Sequence, residues 1–133
     1  MKAFTLVELL VVVAIIGILA AVGIVSFNGY VRSTELTSGE INIQKIAMAQ
    51  NQFRNFNGNF SQDDRCTATS PDADSTTSIN TNLLLGNNID ADNAFNYCST
   101  GTGTTLVIFA LHLTDTDCLL TYNTTGLITR ANC

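Results

Sequence analysis

The most ordered pattern in the chain is an apolar block with a single charge near its start. From Leu9 to Val25 no charged residue occurs, and the block begins earlier, at Ala3, interrupted only by Thr5 and Glu8. At a helical rise of about 1.5 Å per residue, some twenty apolar residues cross a hydrocarbon core of about 30 Å. Beyond Val25 the stretch Ser26-Phe27-Asn28-Gly29-Tyr30-Val31-Arg32 brings in polar groups, yet the helical period continues. Leu36, Gly39, Ile43, Ile46, Gln50 and Phe53 recur at spacings of three and four with Ala47 beside them, which predicts an amphipathic stripe. Glu35, Glu40, Lys45 and Arg54 mostly fall off that stripe, and Asn57-Gly58 supplies a helix stop. The pattern therefore predicts one helix over residues 4–57, about 80 Å long by its rise. Its first half, about 4–31, must be covered by lipid or by other subunits, and its second half by a head of its own.

That head is residues 58–133, rich in Ser, Thr, Asn and Gly and poor in charge. The stretch from Ser61 to Asn82, which holds Pro71, reads as an extended connecting loop. Past it, Thr104 to Leu111 is a nearly continuous apolar run, as expected of a central strand covered on both faces. Cys118 to Tyr122 and Gly126 to Arg130 flank Asn123-Thr124-Thr125 in a hairpin pattern, and Phe95 to Cys98 adds a fourth candidate strand. The predicted architecture is α+β: an antiparallel sheet packed on the amphipathic half of a long N-terminal helix.

Glu8 makes the apolar block more than a generic anchor. A carboxylate near the bilayer centre costs roughly 2.5–3.5 kcal/mol, and less toward the interface, so it normally has a role. Lys2 favours a cytoplasmic N-terminus. A secretory signal peptide fits poorly, because the apolar part is too long and no small-x-small cleavage signal leads into a separate mature domain. A plain single-pass anchor leaves Glu8 unexplained.

The run Ala3-Phe4-Thr5-Leu6-Val7-Glu8-Leu9-Leu10-Val11-Val12-Val13-Ala14-Ile15-Ile16-Gly17-Ile18-Leu19-Ala20-Ala21 resembles the N-terminus of type IV pilin precursors. The likeness is dense over about the first thirty residues and loose after them. It implies a leader, residues 1–3, that a prepilin peptidase removes between Ala3 and Phe4, followed by N-methylation of Phe4. Family members usually carry glycine where this chain has Ala3, another small residue. The resemblance also implies that Glu8 pairs with the N-terminal amine of a neighbouring subunit, which would offset its desolvation and fix the axial register. Gly17 and Gly23 let helices approach closely in an apolar core. In the family the stretch beginning at the position of Gly17 loses helical hydrogen bonds in the filament, and many members end it with a proline where this chain has Val25.

Four cysteines, Cys66, Cys98, Cys118 and Cys133, all lie in the head, and an even number in a small exported domain reads as disulfides. The residues alone leave three pairings open. The resemblance implies a C-terminal loop closed by Cys118 and Cys133, with Cys66 and Cys98 as the second pair.

The remaining chemistry is sparse. No C-x-x-C occurs and His112 is the one histidine, in an expected strand, which gives zinc little support and suggests a structural imidazole. Asp72-x-Asp74, Asp90-x-Asp92 and Asp115-x-Asp117 raise calcium, and Asn88-x-Asp90-x-Asp92 resembles the start of an EF-hand loop. There, however, Asn93 replaces the glycine and Ser99 the final glutamate. These acids read as solvated loop residues, so no metal and no cofactor are expected. Asn123-Thr124-Thr125 fits a glycosylation sequon but also ordinary turn chemistry. Nothing supports an enzyme. Net charge is −5, from six basic and eleven acidic residues, which argues against direct binding of nucleic acid.

The expectation is therefore a structural one. The chain is read as a major pilin that enters the inner membrane as a precursor. It then polymerises with copies of itself, through the pilus assembly machinery, into an extracellular filament for adhesion, twitching or uptake. The alternative is a pseudopilin or minor pilin of a secretion or competence-type machine.

Overall fold

The computed structural model describes residues 4–62, 66–69, 71–85, 89 and 94–133. Helix α1 runs from Leu6 to Asn57 over 52 residues. It ends at Gly58 (φ +81°), whose N–H donates to the Arg54 carbonyl at 2.7 Å. Arg54 in the last turn favours the negative end of the helix dipole, and its guanidinium lies 5.0 Å from the Phe60 ring centroid. Two compact units divide the chain, one up to Thr34 and one from Glu35 onward. The second holds the head together with the half of α1 that packs on it.

In the head the predicted stripe is the buried face of α1. Leu36, Ile43, Ile46 and Ala47 form one core with Phe60, Phe95, Tyr97, Leu106, Ile108, Ala110 and Leu120. Burying each of the larger side chains contributes about 1.5–3 kcal/mol. Gly39 sits where helix and sheet come closest: a Cβ there would lie 3.0 Å from Leu120 Cδ1 and from the Phe95 ring. Two buried polar residues tie the layers together. Asn42 Nδ2 donates to the Tyr97 hydroxyl at 3.3 Å. Gln50 Nε2 donates to Ser99 Oγ at 2.7 Å and to the Ser61 carbonyl at 3.1 Å, while its Oε1 accepts from the Ser61 N–H at 2.9 Å.

The sheet is an antiparallel meander of β1 (Phe95–Thr102), β2 (Thr105–His112), β3 (Leu119–Asn123) and β4 (Ile128–Ala131), in that spatial order. Its register pairs Phe95 with His112, Tyr97 with Ala110, Ser99 with Ile108 and Gly101 with Leu106, so these residues all share the face turned to the core. The period of two explains a departure from expectation in β2. Its run is apolar throughout, but only Leu106, Ile108, Ala110 and His112 are buried, whereas Val107, Phe109 and Leu111 are half-buried on the opposite face. That face carries no second full layer among the described residues. The Cys66–Cys98 disulfide holds a chain segment at β1, where Cys98 is the register partner of Phe109.

The segment from Ser61 to Asn82 is a second departure, because it is not simply an extended loop. It contains helix α2 (Ala73–Ser78) and leads into a single π-helical turn, Ile79–Leu83. Asp72 starts α2 with a capping box: its Oδ1 accepts from the Ser75 N–H at 2.7 Å and its own N–H donates to Ser75 Oγ at 3.0 Å. The hydroxyls that make this stretch look loop-like are spent on the sheet edge. Ser75 Oγ donates to the Tyr97 carbonyl at 2.8 Å and Thr76 Oγ1 accepts from the Tyr97 N–H at 2.8 Å, so α2 shields part of β1 from edge pairing.

Gly101 admits no side chain, since a Cβ there would lie 2.7 Å from Phe60 Cβ and 2.8 Å from the Thr105 carbonyl oxygen. Gly101→Ala is expected to destabilise the head by about 1–3 kcal/mol, the usual range for overpacking. Chemical denaturation of the two proteins side by side measures this; equal midpoints would contradict the close approach.

Candidate assembly segment

The N-terminal unit is built from one short-range device and a long exposed surface. Thr5 is the N-cap of α1 and Glu8 is the third residue of its first turn, a T-x-x-E spacing that forms a reciprocal cap. Glu8 Oε2 accepts from the Thr5 N–H at 2.9 Å and from the Thr5 hydroxyl at 2.7 Å, while the Glu8 N–H donates to Thr5 Oγ1 at 3.3 Å. A carboxylate here also meets the positive end of the helix dipole. Thr5 is the cap partner that Glu8's charge obscures in the sequence, and the cap spacing was the signal that could have found it.

The described large apolar side chains from Phe4 to Phe27 are between 47 and 85 % exposed, on every side of the helix. A helix apolar all round belongs in lipid or inside a protein assembly, not in water. Gly17, Gly23 and Gly29 sharpen this. A Cβ at any of them would meet nothing within 4 Å, so no packing within the chain calls for glycine. Each costs about 1 kcal/mol relative to alanine in a helix interior, and no contact among the described residues offsets that cost.

Of the residues singled out by sequence, Phe4, Glu8 and Gly17 lie on this segment, and Ala3 with the rest of the leader lies outside the described residues. The cysteines lie in the head, joined as Cys66–Cys98 and Cys118–Cys133. The second bond closes a 15-residue span that includes β3 and β4. The EF-hand-like positions Asn88, Asp90, Asp92 and Asn93 also lie outside the described residues. Among the described residues no group of three or more His, Cys, Asp and Glu could hold a metal ion. Asp72 has its structural use as a cap, and Asn123 Oδ1 accepts from the Thr125 N–H at 3.1 Å, the turn chemistry of an Asx residue.

Glu40 and Arg130 form an ion pair at 2.7 Å across α1 and β4, and the carboxylate raises the already high pKa of the guanidinium further. Both groups are partly solvated, so the pair contributes little to stability near neutral pH.

Comparison with known proteins agrees with this geometry. Residues 1–24 match the family model for the prokaryotic N-terminal methylation motif. The chain is 38 % identical over 100 residues to a type IV major fimbrial protein FimA of Dichelobacter nodosus, covering 71 % of this chain and 55 % of that protein. A second FimA of that species is 55 % identical over 38 residues, 29 % of this chain and 24 % of its own length. The type IV major alpha-pilin of Moraxella bovis is 45 % identical over 49 residues, 35 % of this chain and 31 % of that protein. The chain thus spans about half the length of the first relative and less of the others. No solved structure gives a significant match.

Replacing Cys118 and Cys133 together by alanine is expected to lower stability by about 3 kcal/mol, the chain-entropy value for a loop of this length. Thermal unfolding of the purified double variant checks it, and an unchanged midpoint would contradict a stabilising role for the bond.

Proposed function

The chain belongs to the type IV pilins, and from that premise we propose that it is a major pilin that polymerises into an extracellular filament. The observation that carries the proposal is the N-terminal half of α1: apolar and exposed on all sides, and opened by one carboxylate. Lipid covers this half while the subunit waits in the inner membrane, and neighbouring copies cover it in the filament. The relatives, named as major fimbrial and major pilin proteins, favour this reading over a pseudopilin or minor pilin.

On this reading a prepilin peptidase cuts between Ala3 and Phe4, and Phe4 is N-methylated. The new amine of one subunit then meets the Glu8 carboxylate of another. Inside an apolar core each charge alone is strongly disfavoured, whereas the pair satisfies both. Only one axial offset brings them together, so the pair sets register as well as affinity. Gly17 and Gly23 supply the close helix–helix approach. The head, closed by two disulfides, faces outward and withstands shear and proteolysis. Adhesion, twitching or uptake are the uses such a filament serves.

Glu8→Val is expected to leave membrane insertion intact and to remove surface filaments. Breaking a buried pair by deleting one partner costs about 3–5 kcal/mol, repeated at every subunit contact. Electron microscopy and protein yield of sheared filaments measure the effect, and normal piliation would refute the role. Mass spectrometry of the filament's N-terminal peptide is expected to find it starting at a methylated Phe4; a peptide starting at Met1 would rule out the processing step.

A further inference from the structure

His112 is buried, 5 % exposed, at the end of β2, and its ring does more than fill space. Nδ1 accepts from two backbone amides, the Thr114 N–H at 3.3 Å and the Asp115 N–H at 3.0 Å, with the Thr114 hydroxyl also at 3.3 Å. A nitrogen that accepts from two N–H groups carries no proton, so the proton of the neutral ring is on Nε2. Nε2 lies 3.4 Å from Glu35 Oε2 on α1. The ring stacks edge-on against Phe95, centroids 4.9 Å apart. The turn it caps is closed further by the His112 N–H donating to the Cys118 carbonyl and the Cys118 N–H donating to the Asp115 carbonyl, at 3.1 and 2.9 Å. Cys118 is itself bonded to Cys133.

We propose that His112 is a pH-sensitive latch: neutral, it holds the turn between β2 and β3 closed; protonated, it releases it. The reason is stereochemical. Protonating the ring places a hydrogen on Nδ1, so the N–H groups of Thr114 and Asp115 lose their acceptor, while the new N–H is left to the Thr114 hydroxyl oxygen 3.3 Å away. Glu35 from α1 is the charged group beside the ring, while Asp115 and Asp117 lie along the turn itself. Protonation therefore breaks the cap while leaving the Nε2–H directed at Glu35 Oε2, which keeps the ring against α1. The ring stays against α1 while the turn leaves it. Protonation of the ring thus loosens the corner that carries Cys118. The latch lies within the head and does not depend on filament formation.

The test is hydrogen exchange on the full-length protein in detergent micelles, from about pH 8 to about pH 5 and lower if needed, with ring protonation followed by nitrogen NMR. After correction for the intrinsic rate, exchange at Thr114 and Asp115 is expected to rise about tenfold as the ring protonates, the effect of losing one net hydrogen bond. His112→Asn keeps an acceptor near the Nδ1 position without a titrating group and is expected to show a flat profile. Unchanged protection in a protein whose ring carries both protons would overturn the latch. So would a neutral ring protonated on Nδ1 or an unaltered pH response in His112→Asn.

Discussion

The constraint behind the rest of this protein is a helix of 52 residues whose apolar first half is exposed on every side, while from Leu36 onward one of its faces is buried in a core. The backbone of the first half is satisfied wherever it goes, because helical hydrogen bonds are internal. Its side chains are not. They need lipid or protein around their whole circumference. In the second half of the helix, Leu36, Ile43, Ile46 and Ala47 fill the face against the sheet.

The head answers a different problem, which is to hold four strands on one helix with little charge and a modest core. Buried amides do much of this. Gln50 joins α1 to β1 and to the chain at Ser61 through three hydrogen bonds, and Asn42 reaches the Tyr97 hydroxyl. Such groups would be costly if left unpaired, so they favour one arrangement of the layers over near alternatives. Ser75 and Thr76 cover β1 by side-chain rather than main-chain pairing. Two disulfides then fix the ends, one at β1 and one between β3 and the C-terminus.

Glu8 serves two needs with one group. Within the subunit it completes the cap of α1 through Thr5, which satisfies donors that a helix start would otherwise leave open. In the proposed filament it also receives an amine from outside. The two uses are compatible because a carboxylate has two oxygens and about four acceptor positions, and both bonds to Thr5 are made by Oε2 alone.

Much of this was legible in the chain itself. The period of the stripe from Leu36 to Phe53 set which face of α1 is buried, because a helix repeats every 3.6 residues whatever it packs against. The apolar block with Glu8 at its edge set the need for outside cover, and the T-x-x-E spacing held the cap. Folding in three dimensions settled the rest. Ser61 to Asn82 has loop composition, and only the exposed edge of β1 makes a helix there worth forming. The β2 run is apolar on both faces, and only the placement of α1 selects which face is core. His112 reads as one more residue of a strand until the turn folds back and brings two amides to its ring. Local periodicity is a property of consecutive residues, whereas these three outcomes depend on groups that meet only after the chain has folded.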